Sequence, residues 1–423
     1  MKRVIRNGSV LYHGELVSCD VLFDEEQILA VEEHIDTDAE EIDAAGLTVL
    51  PGLVDVHVHF REPGYEQKET IATGTAAAAH GGFTTVFPMP NLNPFPDNPE
   101  TVKEYLQLIA RDGIVHVHPY GTITCGEKGR TVTDYTALKE LGIRWFSDDG
   151  VGVADEDVMR QALLRAKEND VLIACHTEDM DYRRPGSSVQ EAPYAEEHGW
   201  AGIPNACEST QLSRDLQLAL ETGARYHGCH ISAKESVEAL RSIKAQGADV
   251  TAEVAAHHLL LENTDVRGTN WKMNPPLRTH EDRMSLIEAL EDGTLDFIAN
   301  DHAPHTLADK EKPMAEAAFG IVSLETSFPL LYTEFVYWQK RWTLAQLVDW
   351  MSGKPAERFG LEKRGQIEPG WHSDLILVDL EHETRIDASQ FLSKGRNTPF
   401  DGWTVHAAVK ETIVDGVTVW KGE

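Results

Sequence analysis

The chain is short of cysteine, of positive charge and of long apolar runs. Its five cysteines (Cys19, Cys125, Cys175, Cys207 and Cys229) are scattered, odd in number and form no CxxC pair. That pattern argues against a disulfide framework and a cysteine zinc site, and fits reduced thiols in a cytoplasmic protein. No run of about 18 apolar residues occurs, so no transmembrane helix is predicted. The opening MKRVIRNGSVLYHGELVSCD has basic residues but no continuous apolar core, and does not read as a signal peptide. With 38 basic against 70 acidic residues, the formal charge is −32. Such a surface repels phosphate backbones and anionic lipid, which excludes a nucleic-acid footprint and a membrane partner. A small anionic substrate stays compatible, because a local cationic pocket can sit on an acidic protein.

What is present is an ordinary globular composition, 41% hydrophobic and 26% charged over 423 residues. That length suits one large domain with a small one beside it. The first 50 residues read as short strands and turns (VIRNGSVLY, ELVSCDVLF, QILAVEE, LTVLPGLVD), and the tail reads alike, with Asp415-Gly416 as a hairpin turn. Residues 1–50 and 365–423 are therefore expected to build one small β-sandwich-like domain together, leaving 51–364 as the main body.

In that body, strand-like apolar runs at 48–58, 83–89, 114–124, 142–147, 171–176, 225–231, 248–256 and 294–300 alternate with helix-like stretches such as PETVKEYLQLIARDG and AKESVEALRSIKAQGA. Eight strands alternating with helices predict an α/β fold of the (β/α)8 type. Periodicity alone leaves a doubly wound sheet open, since counting strands does not show closure.

Polar residues interrupt those runs at their C-terminal ends, the face where barrel enzymes carry their chemistry. His57 and His59 end the first, Asn91 follows the second, and Asp148-Asp149 end the fourth. His176 ends the fifth, His230 the sixth, and Asp301, with His302 and His305 behind it, the eighth. A single histidine at a strand end is ordinarily a hydrogen-bonded structural residue. The tandem HxH is more specific, because period-two geometry turns both imidazoles to one face. Of Asp148 and Asp149 at most one is expected to enter the barrel, and Cys175 and Cys229 are expected to point into the helix layer. Four histidines and two aspartates on one rim call for a cation with N/O ligands, zinc above all, and the set suits two ions better than one. The residues alone lead to a metal-dependent hydrolase with Asp301 placed to move a proton.

VDVHVHFREPG resembles the metal-binding signature of the amidohydrolase superfamily, and of its bacterial class I dihydroorotase branch in particular. The resemblance continues in order through GGFTTVFPMPN, FSDDGVGV, CHTED, CHIS, VTAEVAAHHLLL, KMNPPLR, NDHAPH, FGIVSLET and RNTPFDGW. It implies reversible cyclisation of N-carbamoyl-L-aspartate to dihydroorotate in pyrimidine biosynthesis, on zinc, with two ions per subunit. Carried over by motif, His57, His59 and Asp301 hold one metal, His176 and His230 the second, and Asp149 both. Asp301 is also the catalytic base and acid. Many amidohydrolases bridge their metals with a carboxylated lysine, and WFSDDG contains none, so a carboxylate takes that place. Arg61, Asn91, Asn274 and His305 are implied as substrate residues, with the backbone at Phe319-Gly320. A homodimer and association with aspartate transcarbamoylase follow from the same resemblance. The competing readings are another cyclic amidohydrolase (allantoinase, or hydantoinase/dihydropyrimidinase) and a non-catalytic dihydroorotase-like scaffold.

Overall fold

The computed structural model describes residues 1–422. Eight short strands carry the main body: β1 Leu53–Val58, β2 Phe83–Pro88, β3 His116–Val117, β4 Trp145–Phe146, β5 Leu172–Cys175, β6 Arg225–Gly228, β7 Val250–Ala255 and β8 Phe297–Ala299. They pair in parallel, β1 to β3 in one sheet and β4 to β8 in another, each in chain order. Single parallel bridges span both gaps, Gly121 with Phe146 beyond β3 and Val58 with His302 beyond β8.

Helices fill the crossovers because their sequences start and stop them. Thr70 and Thr73 form a capping box ahead of Ile71–His80, and Asn98 accepts from two backbone N–H groups ahead of Pro99–Asp112. Asp155 does the same for Glu156–Asn169, which ends on Asp170 in the left-handed conformation. Two predicted helices lack the expected cap: Ala206–Thr222 and Lys234–Lys244 begin without a side-chain hydrogen bond, and packing of their buried faces holds them instead. One apolar cluster joins the helices to the outer faces of the strands, including Phe146, Ile173, Tyr226 and Leu240. A second fills the inside, with Val54, Val56, Phe87, Trp145, Leu172, Phe297 and Phe359.

Strands from both ends of the chain share a six-stranded sheet in the order 417–421, 408–414, 375–379, 48–51, 9–12 and 15–18. A four-stranded sheet, 28–32, 20–23, 3–6 and 40–43, meets it through Ile5, Val10, Phe23, Val49, Leu375 and Ile413. VIRNGSVLY contains two strands in different sheets, with the turn at Asn7-Gly8 between them, where Asn7 takes a positive φ of 63°. Asp415 and Gly416 are both left-handed, φ 44° and 69°, as a two-residue hairpin turn requires.

Candidate metal centre and substrate pocket

A cavity of about 230 Å³ opens at the C-terminal ends of the strands, lined by His59, Arg61, Asn91, Asp149, His176, His230, Asn274, Asp301, His305, Phe319 and Gly320, together with Gly150 and Ala303. Of the predicted metal-binding and substrate residues all but His57 line it, and His57 is fully buried.

Local backbone aims these side chains. The pairing of β1 with β2 shifts register between Asp55 and Val58, so Val54 and Val56 pack in the inner cluster while His57 and His59 reach the site above them. Asp149 shares the parity of inward-facing Trp145 and enters the site. Asp148 faces away and accepts from the Thr124 backbone N–H at 3.0 Å and from its hydroxyl, and burial pushes its pKa up to about 6. His230 lies beyond β6 with φ 32°, Asp301 beyond β8 with φ 45°, and Arg61 beyond β1 with φ 62°. Left-handed backbone at non-glycine residues costs on the order of 1–3 kcal/mol each, and its clustering here is typical of a functional site.

The turn at His230 corrects the expectation for its neighbour. Cys175 packs in the outer cluster as predicted, but Cys229 packs inside, in ligand-group proximity to His57 and Glu253. Strict alternation would have put Cys229 and His230 on opposite faces; the left-handed step brings the imidazole round as well.

The donors form two overlapping groups, His57 with His59 and Asp301, and His57 with Asp149 and His230, each with its ligand atoms within 4.8 Å of one another. His59 Nε2 lies 3.1 Å from Asp301 Oδ1, and His57 Nε2 3.4 Å from Asp149 Oδ1. His176 stands beside these groups, its Nδ1 3.0 Å from His230 Nε2 and its Nε2 3.3 Å from Glu178. His57 Nε2 and Asp149 Oδ1, 3.4 Å apart, are both buried without a hydrogen-bond partner, and His230 Nε2 lies 3.8 Å from the same oxygen. Buried polar atoms are ordinarily satisfied, so orphaned nitrogen and oxygen atoms facing one space fit a cation between them. Burial opposes the Asp149 and Asp301 carboxylates, but the surrounding histidines outweigh it and hold both well below the usual carboxylate range.

The substrate-side residues divide. Asn91 accepts from His59 Nδ1 at 3.0 Å and donates to Asp149 Oδ2 at 3.4 Å, so it orients two metal candidates as well as facing the cavity. Asn274 donates to Glu178 Oε2 at 3.1 Å. His305 Nε2 donates to the Phe319 carbonyl at 2.7 Å, and Lys68 Nζ lies 3.3 Å from Nδ1. Burial, then the charges of Arg61 and Lys68, push His305 down to about 2, which makes it a neutral imidazole. Gly320 has φ 124°, and a Cβ there would meet the Ala303 side chain at 2.6 Å, so only glycine fits. Its N–H donates to Lys272 O, and its carbonyl accepts from Lys310 and Asn397. His302 turns away from the cavity: its Nδ1 accepts from the Ser323 and Leu324 backbone, and its Nε2 lies 3.5 Å from Glu69.

Two residues were missed. Glu253, 1% exposed, sits under His57, and Glu178 lies between His176, Asn274 and Arg183. A signal existed for the first, since a lone glutamate inside the apolar run VTAEVAA is costly to bury without partners.

A model of the dihydro-orotase-like family matches residues 46–236. The dihydroorotase of Geobacillus thermodenitrificans (strain NG80-2) is 49% identical, covering 99% of this chain and 98% of its own. That of Halalkalibacterium halodurans is 50% identical, covering 100% and 99%. Among solved structures, L-hydantoinase (dihydropyrimidinase) from Arthrobacter aurescens matches with a TM-score of 0.89 at 27% identity, over 100% of this chain and 96% of that one. Dihydropyrimidinase from Brevibacillus agri NCHU1002 matches with a TM-score of 0.86 at 24% identity, over 100% and 95%, a likeness of fold. Fold and donor set together define a cyclic amidohydrolase. Within that class the identity along the whole chain is decisive: the chain belongs to the dihydroorotase family.

Proposed function

We propose that the protein interconverts N-carbamoyl-L-aspartate and dihydroorotate, in the pyrimidine pathway and in the cytoplasm. The observation that carries this reading is one cavity joining two groups of metal donors to a cation, Arg61, that has no carboxylate within ion-pair distance among the described residues. The substrate brings the missing carboxylate. Two zinc ions would be held by His57, His59 and Asp301 on one side and His176 and His230 on the other, with Asp149 between them. Zinc there would polarise the ring carbonyl and lower the pKa of the attacking water.

The chain's own groups do the rest. Arg61 takes the substrate carboxylate through its fork of N–H donors, and Asn274, beside His176 in the same cavity, offers an amide. Phe319 O keeps one lone pair beyond its bond from His305 and can accept a ring N–H. Asp301, ionised at neutral pH, accepts the proton of the water that attacks ring C4. It passes that proton to the ring nitrogen as the C–N bond breaks, and the water oxygen stays in the new carboxyl group, whose remaining proton is lost to solvent at neutral pH. Ring closure is the reverse and releases water.

The architecture that suits this chemistry is a closed (β/α)8 barrel over 51–364 with a β-sandwich-like domain from 1–50 and 365–423. The bridges beyond β3 and β8 support closure, and the shared terminal sheet supports the second domain. A homodimer associating with aspartate transcarbamoylase is the assembly the resemblance implies, and sedimentation with and without that partner tests it.

The fold likeness to hydantoinases favours a second reading, a hydantoinase or dihydropyrimidinase. Metal analysis of the purified protein with parallel assays on dihydroorotate, hydantoin and allantoin decides. Bound zinc with turnover of dihydroorotate is expected. Turnover of hydantoin or allantoin alone would hand the site to the rival, and neither metal nor turnover would make the chain a scaffold.

A further inference from the structure

Glu253 is a buried carboxylate behind the centre, 1% exposed, and it is not among the residues that line the substrate cavity. Its Oε1 lies 2.7 Å from His57 Nδ1 and accepts from the His230 backbone N–H at 3.2 Å. Its Oε2 lies 3.0 Å from His227 Nε2. His227 is fully buried, stacked on Phe297 with ring centroids 5.1 Å apart and planes 14° apart, and its Nδ1 lies 2.9 Å from the Thr251 hydroxyl.

With both rings neutral, the chemistry of these contacts leaves one arrangement of protons. A carboxylate only accepts, so both imidazoles direct an N–H to Glu253. The Thr251 hydroxyl then donates to His227 Nδ1, which fixes the orientation of that ring, and Phe297 prevents its rotation. His57 is left with its Nε2 toward Asp149, the atom that has no partner. The same carboxylate also holds the backbone N–H of His230, whose left-handed turn aims the second imidazole. One buried glutamate therefore reaches ligands of both donor groups from below.

We propose that Glu253, held by His227 and Thr251, is the positioning residue of the metal centre: it fixes His57 in the Nδ1–H form so that Nε2 faces the metal, and it pins the turn that presents His230. This rests on the reading of His57 and His230 as metal ligands. Carboxylates behind ligating histidines set ring orientation and basicity, and their loss typically weakens metal binding about 10–100-fold.

The test uses the full chain and zinc, measured by chelator competition, with nitrogen NMR of the histidine side chains in the zinc-loaded protein. In Glu253→Gln one acceptor becomes a donor, so either His57 or His227 loses its bond. Zinc affinity is expected to fall about 10–100-fold, and the Nδ1–H signal of His57 to shift or broaden. A role confined to packing would leave that signal in place. Thr251→Val keeps Glu253 and removes the anchor of His227; a smaller loss of zinc affinity is expected, and it carries the test if the glutamine variant does not fold. Wild-type zinc affinity with an unmoved His57 signal in Glu253→Gln, or wild-type zinc affinity in Thr251→Val where the glutamine variant fails to fold, overturns the proposal alone. A wild type that binds no zinc overturns the metal reading and this proposal together.

Discussion

Arg61 Nη2 lies 3.4 Å from His305 Nε2, and no carboxylate among the described residues lies within ion-pair distance of that guanidinium. A partly buried cation beside a neutral imidazole is poised for an anion from outside. Replacing it by Arg61→Met removes charged hydrogen bonds worth about 1.5–3 kcal/mol, or roughly 10–100-fold in KM. Metal content is expected to stay at the wild-type level. A variant with unchanged KM for dihydroorotate would leave Arg61 without its assigned partner.

In the proposed mechanism Asp301 is set apart from the other ligand candidates by the proton it carries. Asp301→Ala is expected to lower kcat by at least about 10²–10⁴-fold, the range of a lost general acid–base group. Circular dichroism and the unfolding midpoint should remain close to wild type. Near-wild-type kcat would move the proton transfer to another group.

Lys310 is buried, and its ammonium donates to Lys272 O at 3.2 Å, Ala318 O at 2.8 Å and Gly320 O at 3.0 Å. Two of those acceptors, Ala318 O and Gly320 O, flank Phe319, so one lysine shapes the wall that faces the substrate. Lys310→Met leaves three carbonyls short of a donor, and an increase in KM of about tenfold is expected from roughly 1–2 kcal/mol of lost hydrogen bonding. Zinc affinity measured in parallel should not change. Equal losses in KM and zinc affinity would point to general disorder of the site rather than to this wall.

His118 packs against Phe87 and Trp145 and gives the protein an acid limit of its own. Burial, with His116 and Arg364 adding to it, pushes His118 down to about 4. Its Nε2 has no partner. Between the ordinary histidine value near 6.5 and pH 4, the unfolded chain binds a proton that the folded chain does not. Stability from this group is therefore complete above about pH 6.5 and is lost as pH falls toward 4, by on the order of 2–3 kcal/mol. His118→Phe keeps a ring and removes the titration. Urea unfolding at pH 4.5 and 7.5 should show a smaller difference in the variant than in wild type, and an equal difference would place the acid sensitivity elsewhere.

Much of the site was legible because its residues stand where the chain changes character. Polar side chains at the ends of apolar runs marked His57, His59, Asp149, His176, His230 and Asp301, and the structure gathers them at one cavity or directly behind its wall. Alternation failed at Cys229 because it assumes extended backbone, and His230 is not extended. It overlooked Glu253 because the lone glutamate in VTAEVAA signals a need for buried partners without showing which distant residues supply them.

The amino-acid order by itself determined the alternation of strands and helices, the caps of most helices, the hairpin at Asp415-Gly416 and the chemical types present on the rim. These depend on neighbours a few residues apart. Only the tertiary structure decided which groups share a proton or face a common space. Glu253 meets His57 across 196 residues, and Asn300 N–H meets Asp55 across 245. Such pairs form only when the parallel strands pack so that distant positions come to hydrogen-bond distance, and that step also requires the register shift in β1 and the left-handed turns at His230 and Asp301.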